Sequence, residues 1–426
     1  MHDIEYIRNN PEKFAKEIQS RGIKDFTVHE ILKIDCQKRH LTTKLQALHK
    51  QRNQITEEIK ILKMNHACIQ HKILLSKEIT NKIDKIVLKE QQNREQLLKI
   101  VSHLPNIPLR DVPIGDHDND NIEIKKDEEH KRIFDFIPQS HFYLGQKLNL
   151  MDFAQTAKIS GSRFVILKGQ LAKLARVLTH FMLEMHVNQF GYTEIYHPSL
   201  VKSNAMYNVG QLPKFSDDSY CTKNELRLIP TSEVVLTNLV SDKILKEEEL
   251  PIRVTAYSEC FRKEAGNAGV DNIGMIRQHQ FGKVELVSIT NQEESNNELH
   301  RIISIVETVL KTLELPYRIM LLCSMNMSFA AQKAYDIEVW MPYQKTYREI
   351  SSCSNCGAFQ ARRMNTKYSM LYNKQVKKYV HTLNGSAVAI GRMIIAIMEN
   401  YQNSDGSITI PKILRPFLGN SSTINI

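Results

Sequence analysis

The sequence predicts an α+β protein with an antiparallel sheet flanked by helices, preceded by an N-terminal pair of long antiparallel helices. Three observations carry this prediction. Residues 255–289 alternate like a strand hairpin, residues 335–352 contain two more alternating segments, and apolar residues recur at three- and four-residue spacing between Ile31 and Leu104.

The hairpin is the stretch from Thr255 to Ile289. Polar and aromatic residues share one face of its second strand: Arg277, His279, Phe281, Lys283 and Glu285. Val284 and Leu286 point to the other face, which predicts packing on a core. Between the strands, residues 265–274 are rich in glycine and asparagine and predict a loop. A charged alternation by itself also fits a solvated strand, but the ring at Phe281 favours a binding face.

Composition places limits on the class of protein. The 426 residues carry 57 Lys and Arg against 47 Asp and Glu, a net charge of +10 that favours a polyanionic partner. Seven cysteines at irregular spacing indicate a reducing compartment. The start of the sequence has no apolar signal segment, and the longest apolar run, near Ala387–Met398, is broken by Arg392. We expect a cytoplasmic protein with no membrane partner.

Two helical runs precede the hairpin. The spacing predicts one set of seam positions before residue 64: Ile31, Ile34, Lys38, Leu41, Leu45, Leu48, Arg52, Ile55, Ile59 and Leu62. A weaker second set follows: Ile69, Ile73, Ser76, Thr80, Ile83, Val87, Glu90, Arg94, Leu97, Val101 and Leu104. The join around Met64–His71 predicts an antiparallel hairpin of helices.

The charge of this helical arm bears on its use. Residues 27–104 hold fifteen Lys and Arg but eight Asp and Glu. A dimerisation coiled coil is the commoner use of heptads, whereas a basic arm suits a nucleic-acid backbone. Three prolines in Leu104–Gly115 then mark a linker. We divide the chain into a helical arm (1–104), for which both uses stay open, a linker and docking segment (105–150) and a C-terminal domain (151–426).

The segments after the linker predict alternating helices and strands. Residues 134–150 predict a docking strand and a short helix, and Arg163–Lys168 predict a strand between glycine turns. Gln170–Gln189 form an amphipathic helix. The residues HTLNGSAVAIGRMIIAIMENYQ predict a strand, a glycine turn and a helix.

Two short motifs can each be interpreted from their own residues alone. Thr231-Ser232-Glu233 follow Pro230 and are typical of a helix start, where a hydroxyl caps the first turn. Cys353-x-x-Cys356 could form half a zinc site, but no second ligand pair lies nearby, so we expect no zinc.

Several segments together resemble the seryl-tRNA synthetases of bacterial type, within the class II aminoacyl-tRNA synthetases. FRKE and RQHQFGKVE resemble motif 2, YTEIYHPSLV resembles motif 1, and the HTLNGSAVAIGR segment resembles motif 3. TSE and DIEVW through REISSCSNCGAFQARR resemble the serine-specific elements. The likeness covers nearly the whole chain, and it implies a class II synthetase-like sheet. One departure is Met325-Asn326-Met327-Ser328, where the family usually has Gly-Asp-Met-Gly; we expect it to be tolerated.

The resemblance implies roles for particular residues. Arg262 would clamp the α-phosphate of ATP, Glu264 would contact adenine and Phe281 would stack on it. The implied catalytic residues are Arg262, Glu349 and Arg392. The implied ATP-binding residues are Arg262, Lys263, Glu264, Arg277, Phe281, Glu349, Ile350, Ser351, Ser352 and Arg392. The implied serine-binding residues are Thr231, Ser232, Glu233, Arg262, Glu285, Asn384 and Ser386.

The implied metal is Mg²⁺ bound with ATP by Glu349 and Ser352. Strict alternation would place these two on opposite faces of one strand, so a bulge or a strand end is expected between them. The implied activity is an ATP-dependent serine–tRNA ligase: it forms seryl-adenylate and transfers serine to tRNA(Ser), with tRNA(Sec) open as a second substrate. The implied assembly is a homodimer through motif 1.

Two alternatives remain at this point. A paralogue that loads an amino acid onto a carrier protein would be expected to lack the long arm. A non-catalytic RNA-binding protein would not need Arg262, Glu349 and Arg392 together.

Overall fold

The computed structural model describes residues 1–264 and 274–425 of the chain. Most of the glycine-rich loop expected at 265–274 therefore lies outside the described residues. Contacts divide the chain into two compact units, His2–Pro105 and Asn106–Ile426, with Met1 belonging to the second. The division into three segments at residues 104 and 150 stays a prediction.

The smaller unit is helical. Its helices are α1 (Ile4–Asn9), α2 (Pro11–Gln19), α3 (His29–Met64) and α4 (Gln70–Ser102). The two long helices pack side by side and are joined by the short turn between Met64 and Gln70, as the heptad spacing predicts. Their central seam consists of the buried Ile55, Ile79 and Ile83.

The second helix differs from the predicted register. Val87 is 45% exposed, whereas Ile79 and Ile86, which the spacing did not assign to the seam, are buried. The reason is that Ser76 and Thr80 stand at predicted seam positions, and neither side chain gains by burial. The helix therefore turns Ile79, Ile83 and Ile86 inward in this stretch, whereas Leu97 and Val101 are buried as predicted, so the register differs only between about residues 76 and 87.

The larger unit is built on an eight-stranded sheet. Its helices are α5 (His141–Lys147), α6 (Phe153–Ser160), α7 (Gly169–Asn188), α8 (Ser203–Asn208), α9 (Glu233–Asn238), α10 (Ser295–Thr312), α11 (Phe359–Arg363) and α12 (Ile390–Asn400). Its strands are β1 (Ile122–Asp127), β2 (Met151–Asp152), β3 (Ile166–Leu167), β4 (Thr193–Glu194), β5 (Leu200–Lys202), β6 (Leu226–Leu228), β7 (Ile244–Lys246), β8 (Ile252–Phe261), β9 (Gln280–Thr290), β10 (Tyr317–Leu321), β11 (Lys333–Met341), β12 (Thr346–Gly357), β13 (Lys367–Ser369), β14 (Lys377–Tyr379), β15 (His381–Ala389), β16 (Ile408–Thr409) and β17 (Thr423–Ile424). The sheet order is β1-β10-β11-β12-β15-β9-β8-β4.

The sheet is antiparallel except where β4 pairs with β8. The predicted hairpin is confirmed as β8 and β9, with Ala256 opposite Glu285. Val284 and Leu286 are fully buried in the main core, which lies between the sheet and α7, α10 and α12. The sheet face that carries Glu285 is therefore the face away from this core.

Three local predictions need correction. No strand forms at residues 134–138 of the described chain; the edge strand is β1, where Ile122–Asp127 pair with β10. The strand expected at Arg163–Lys168 shrinks to β3. The strand and helix expected at HTLNGSAVAIGRMIIAIMENYQ are β15 and α12, but no glycine turn separates them, because β15 continues through Gly385 to Ala389 and α12 begins at Ile390. A Cβ on Gly385 would lie 2.4 Å from Ile302 Cγ2, so this glycine lets α10 pack closely on the sheet.

No helix in the described part of the chain is both long and apolar enough to cross a membrane. The expected bulge is present in β12. Ile337 pairs with Ser351 but Glu338 pairs with Glu349, so Ile350 is the extra residue. The bulge places Glu349 and Ser352 on the same sheet face, across from Glu338 and Asp336.

The helical unit gives a direct test of its observed register. We expect Ile83→Ala to lower the free energy of unfolding by about 2–5 kcal/mol, because it leaves a cavity in the seam. Val87→Ala, the matched control, should change it by less than about 0.5 kcal/mol. Thermal unfolding followed by circular dichroism measures both variants. If both variants lost the same free energy of unfolding, Val87 would lie in the seam as the spacing predicts, and the observed register would be contradicted.

Candidate active site

The candidate site lies where β9, β12, β15 and α12 meet. A cavity of about 100 Å³ opens there. Eight residues expected to bind ATP or serine line it: Arg262, Glu264, Arg277, Phe281, Glu349, Ile350, Ser386 and Arg392. These residues come from four separate segments of the sequence, and the sheet register brings them together.

One end of the cavity carries the two expected arginines. The Arg262 guanidinium lies 5.2 Å from the Phe281 ring centroid, so the arginine and the ring form one surface. Arg392 donates to the Glu349 carboxylate at 3.0 Å and to the Glu349 carbonyl at 2.6 Å. Burial opposes ionisation of Glu349, but Arg392 and the more distant Arg262 together lower its pKa. Glu349 is therefore ionised at neutral pH.

Arg277 and Glu264 face each other across the same cavity. The Arg277 guanidinium donates to Glu264 Oε2 at 3.1 Å. Glu264, the last described residue before position 274, has a positive φ of 51°. An adenine contact by Glu264 would have to share this carboxylate with Arg277.

The other end of the cavity is a compact polar cluster. Thr231 donates to Glu285 Oε2 at 2.7 Å. The Lys283 ammonium forms an ion pair with Glu285 and lies 3.1 Å from both Thr231 Oγ1 and Ser386 Oγ. Lys283 and Glu285 are both buried, so each charge depends on the other. Lys283 and Ser386 line the cavity, and the buried Thr231 and Glu285 lie behind them in contact with Lys283.

Glu233 stands beside this cluster at the start of α9. Its carboxylate accepts from Gln360 Nε2 at 2.6 Å and from Asn384 Nδ2 at 2.9 Å. Burial and the neighbouring Glu285 carboxylate raise the pKa of Glu233 to about 7. An ammonium bound here would favour the ionised form of Glu233, because an opposite charge lowers a carboxyl pKa.

A second and larger cavity of about 520 Å³ adjoins the first. Both are lined by Ile276, Arg277, Glu349 and Arg392, so these four residues form their common boundary. Asp336 faces the second cavity. Burial and the nearby Glu349 raise the pKa of Asp336 well above its usual range, although a hydrogen bond from Ser352 opposes this. Among the described residues, Asp336 Oδ1 is buried without a hydrogen-bond partner.

The remaining expected residues lie around the cavity rather than in its lining. Ser351 is buried and donates to the Ser386 carbonyl. Ser232 is fully buried, with its hydroxyl 2.6 Å from Ser258 Oγ, which is a core contact. The Lys263 ammonium lies 5.8 Å from the centroid of the Tyr220 ring, away from the other expected ATP ligands. A direct role for each of these three side chains stays a prediction.

The two cysteines of the CxxC pair are buried free thiols. Burial raises the pKa of Cys353 to about 12 and holds the pKa of Cys356 above its usual range. Zinc binds the thiolate, so a raised thiol pKa opposes zinc binding. The residues that the structure describes contain no cluster of three or more His, Cys, Asp or Glu that could hold a metal ion.

Sequence reasoning missed Lys283 and Asp336. The alternation placed Lys283 on the binding face between Phe281 and Glu285, and a lysine between an aromatic and an acid was the available signal. Asp336 alternates with Glu338 in the DIEVW segment, but only the pairing of β11 with β12 places it beside Ser352. The departure at Asn326 also lies closer to the site than expected, since Asn326 lines the larger cavity.

The comparisons with known proteins agree with this architecture. Residues 214–401 match the tRNA synthetase class II core domain (G, H, P, S and T), and residues 1–108 match the seryl-tRNA synthetase N-terminal domain. An antiparallel sheet with an arginine- and acid-lined cavity of this kind is the catalytic core of a class II aminoacyl-tRNA synthetase.

Relatives narrow the class to one family. The chain is 68% identical over its full length to the serine–tRNA ligase of Wolbachia pipientis wMel, and 56% identical to that of Ehrlichia ruminantium (strain Gardel), covering 100% and 99% of those proteins. It aligns over 100% of its length with 99% of the seryl-tRNA synthetase from Pyrococcus horikoshii complexed with ATP, at 34% identity and a TM-score of 0.91. The chain belongs to the seryl-tRNA synthetase family. Its activity is the ATP-dependent ligation of serine to tRNA.

The closeness of the Asp336 and Glu349 carboxyl groups is expected to lower the stability of the folded protein by a measurable amount. A carboxyl group with a raised pKa in the folded state destabilises the fold above its unfolded pKa, and stability returns as pH falls. Asp336→Asn removes this repulsion while keeping the shape of the side chain. We expect a higher melting temperature than wild type at pH 7.5 without metal, and a gain that shrinks toward pH 4.

The control for this prediction is Asp405→Asn at a surface turn. Asp405 binds Ser407 in the folded state, which lowers the pKa of its carboxyl group, so this variant should not gain stability. Calorimetric scans at the two pH values measure both proteins. A melting temperature of Asp336→Asn at or below wild type at pH 7.5 would show that the Asp336 charge is stabilised by the site.

Proposed function

We propose that the cavity bounded by Arg262, Glu349 and Arg392 holds ATP, and that the Thr231–Lys283–Glu285–Ser386 cluster beside it holds L-serine. The observation that supports this most is that two arginines and an ionised acid line the same cavity as Lys283 and Ser386, the part of the polar cluster that faces it. An ATP α-phosphate at Arg262 then lies next to the carboxylate of the bound serine.

The first step is formation of seryl-adenylate. The serine carboxylate attacks the α-phosphorus, and pyrophosphate leaves on the opposite side. Arg262 offers a guanidinium to the α-phosphate, and Arg392 and Arg277 offer theirs to the departing phosphates. No side chain has to act as a nucleophile, so the chain contributes position and charge.

Recognition of serine rests on the polar cluster. Glu285 and Ser386 would bind the substrate hydroxyl, and Thr231 and Glu233 would bind its ammonium. Alanine would leave the buried Glu285 without that partner, and sites of this kind reject such analogues by about 10⁴–10⁵-fold. The ion pair with Lys283 orients the Glu285 carboxylate before serine arrives.

Magnesium is the proposed metal. Glu349, Ser352 and Asp336 share one face of β11 and β12, and their oxygens suit a small hard cation. The unpartnered Asp336 Oδ1 fits such a ligand. When bound with ATP, magnesium would neutralise phosphate charge; the protein groups hold and orient it.

The second step would transfer serine to the 3′ end of tRNA(Ser). The basic α3–α4 pair, with helices of 36 and 33 residues, supports a long tRNA-binding arm. We also propose a homodimer through the segment from α7 to Pro198, where the large aromatic Tyr196 is fully exposed. A reducing, cytoplasmic location is in keeping with the free cysteines.

The most informative experiment is amino-acid-dependent ATP–pyrophosphate exchange with each of the twenty amino acids. We expect exchange with serine above all others. Exchange driven best by another amino acid, or none at all, would overturn the proposed substrate.

The Glu285 carboxylate is open to a direct test. Glu285→Gln keeps the shape but removes the charge that pairs with Lys283 and Thr231. We expect serine-dependent exchange to fall by at least about 10–100-fold, the worth of one charged hydrogen bond. Glu259→Gln, on the same hairpin but outside the cavity lining, is the control. Near-normal exchange by the Glu285 variant would move the hydroxyl contact elsewhere.

Deletion of residues 31–104 separates the two steps. We expect the shortened protein to retain serine-dependent pyrophosphate exchange, because every proposed site residue lies after residue 230. Charging of tRNA(Ser) should be lost, since the arm is removed. Parallel exchange and charging assays measure this, and normal charging would contradict the role of the arm.

A further inference from the structure

The larger cavity extends the site across the sheet, away from the serine cluster. On β10, β11 and β12, register places Arg318, Glu338 and Glu349 in one row. A second row holds Met320, Asp336 and Ser352. Neighbouring strands lie about 4.8 Å apart, so Arg318 stands about 10 Å from Glu349.

The walls of this cavity mix both signs of charge. Among the described residues that line it are four arginines and four acids: Arg277, Arg318, Arg348, Arg392, Asp118, Asp336, Glu338 and Glu349. Guanidinium groups bind phosphate oxygens in pairs, and carboxylates bind magnesium. The combination suits a phosphate that carries a divalent cation rather than either ion alone.

Contacts fix the outer part of this wall. Arg318 Nε donates to Glu338 Oε2 at 2.6 Å, and its guanidinium lies 4.9 Å from the centroid of the Tyr347 ring. At the rim, Asn326 Nδ2 donates to Asp118 Oδ1 at 3.0 Å and to Asn121 Oδ1 at 3.2 Å. The cavity is therefore an ordered chamber of about 520 Å³, within the range of ligand pockets.

The direction of the reaction points into this chamber. Across the sheet, the serine cluster lies on β9 and β15, Glu349 lies on β12, and the chamber lies over β11 and β10. An in-line displacement at the α-phosphorus expels its leaving group away from the attacking carboxylate. The new bond joins the serine oxygen to the α-phosphorus, and the broken α–β bond leaves its electron pair on pyrophosphate.

We propose that the chamber bounded by Arg318, Glu338 and Asp336 is a product site that holds magnesium pyrophosphate after serine activation and before release. This rests on the proposed function. The Arg318 guanidinium binds an oxygen of the pyrophosphate that has moved beyond Arg392, and Glu338 orients this guanidinium.

Two variants test the chamber. Arg318→Lys keeps the charge but loses the paired donors, and Arg318→Gln with Glu338→Gln removes both members of this ion pair, so that only the exposed Glu123 loses its 3.5 Å contact with Arg318. Arg110→Gln, at an exposed arginine outside the chamber, is the matched control. Titration calorimetry with pyrophosphate and magnesium, without ATP or serine, measures product binding. Exchange assays give the KM values for pyrophosphate, ATP and serine.

We expect the double variant to bind pyrophosphate at least about tenfold more weakly, and Arg318→Lys to show a smaller loss. The KM values for ATP and serine should change by less than about threefold. Unchanged pyrophosphate affinity in folded variants overturns the product site, as does an equal loss for ATP and pyrophosphate. If the double variant does not fold, Arg318→Lys decides by the same criteria.

The two proposals fail in different ways. If the wild-type protein shows no serine-dependent pyrophosphate exchange, the proposed function is wrong, and this inference is wrong with it. If the wild-type protein exchanges pyrophosphate with serine but the variants bind pyrophosphate normally, only the product-site proposal is wrong.

Discussion

The register of four antiparallel strands is the constraint on which the site depends. Glu285 lies opposite Ser386, and Glu349 lies opposite Glu338, because β9, β15, β12 and β11 pair in a register that shifts only at Ile350, Cys356 and Ala387. Side chains alternate between faces, so a shift of one residue would turn these groups into the apolar core. The buried Val284 and Leu286 on the opposite face hold that register. Packing on one face of the sheet thus determines the chemistry on the other.

The same face concentrates charge that the fold alone does not favour. Glu233 has a pKa raised to about 7, the pKa of Asp336 is raised well above its usual range, and Glu349 next to Arg392 has a lowered pKa. The surroundings of three carboxyl groups in one region thus shift their pKa values in different directions. Such an arrangement costs stability in the protein without ligand and prepares it for an ammonium and a metal-bound phosphate.

Much of this could be predicted from the sequence. Alternation predicted the β8–β9 hairpin, the apolar spacing predicted α3 and α4, and the spacing of Glu349 and Ser352 predicted a bulge. The burial of Ile79 and Ile86 in place of Val87 in α4 could not be predicted. With Ser76 and Thr80 at the predicted seam positions, the apolar spacing fits either register about equally well. Lys283 and Asp336 needed strand pairing, since their partners lie on other strands. The chamber over β10 and β11 likewise exists only in three dimensions.

The central claim is that Arg262, Glu349 and Arg392 meet on one folded triphosphate. A crystal structure of the protein with a non-hydrolysable ATP analogue and magnesium tests it most directly. We expect the α-phosphate at Arg262, the terminal phosphates near Arg392 and Arg277, and the metal at Glu349. A nucleotide bound with Arg262 and Arg392 on separate surfaces, or with Glu349 away from the metal, would contradict it.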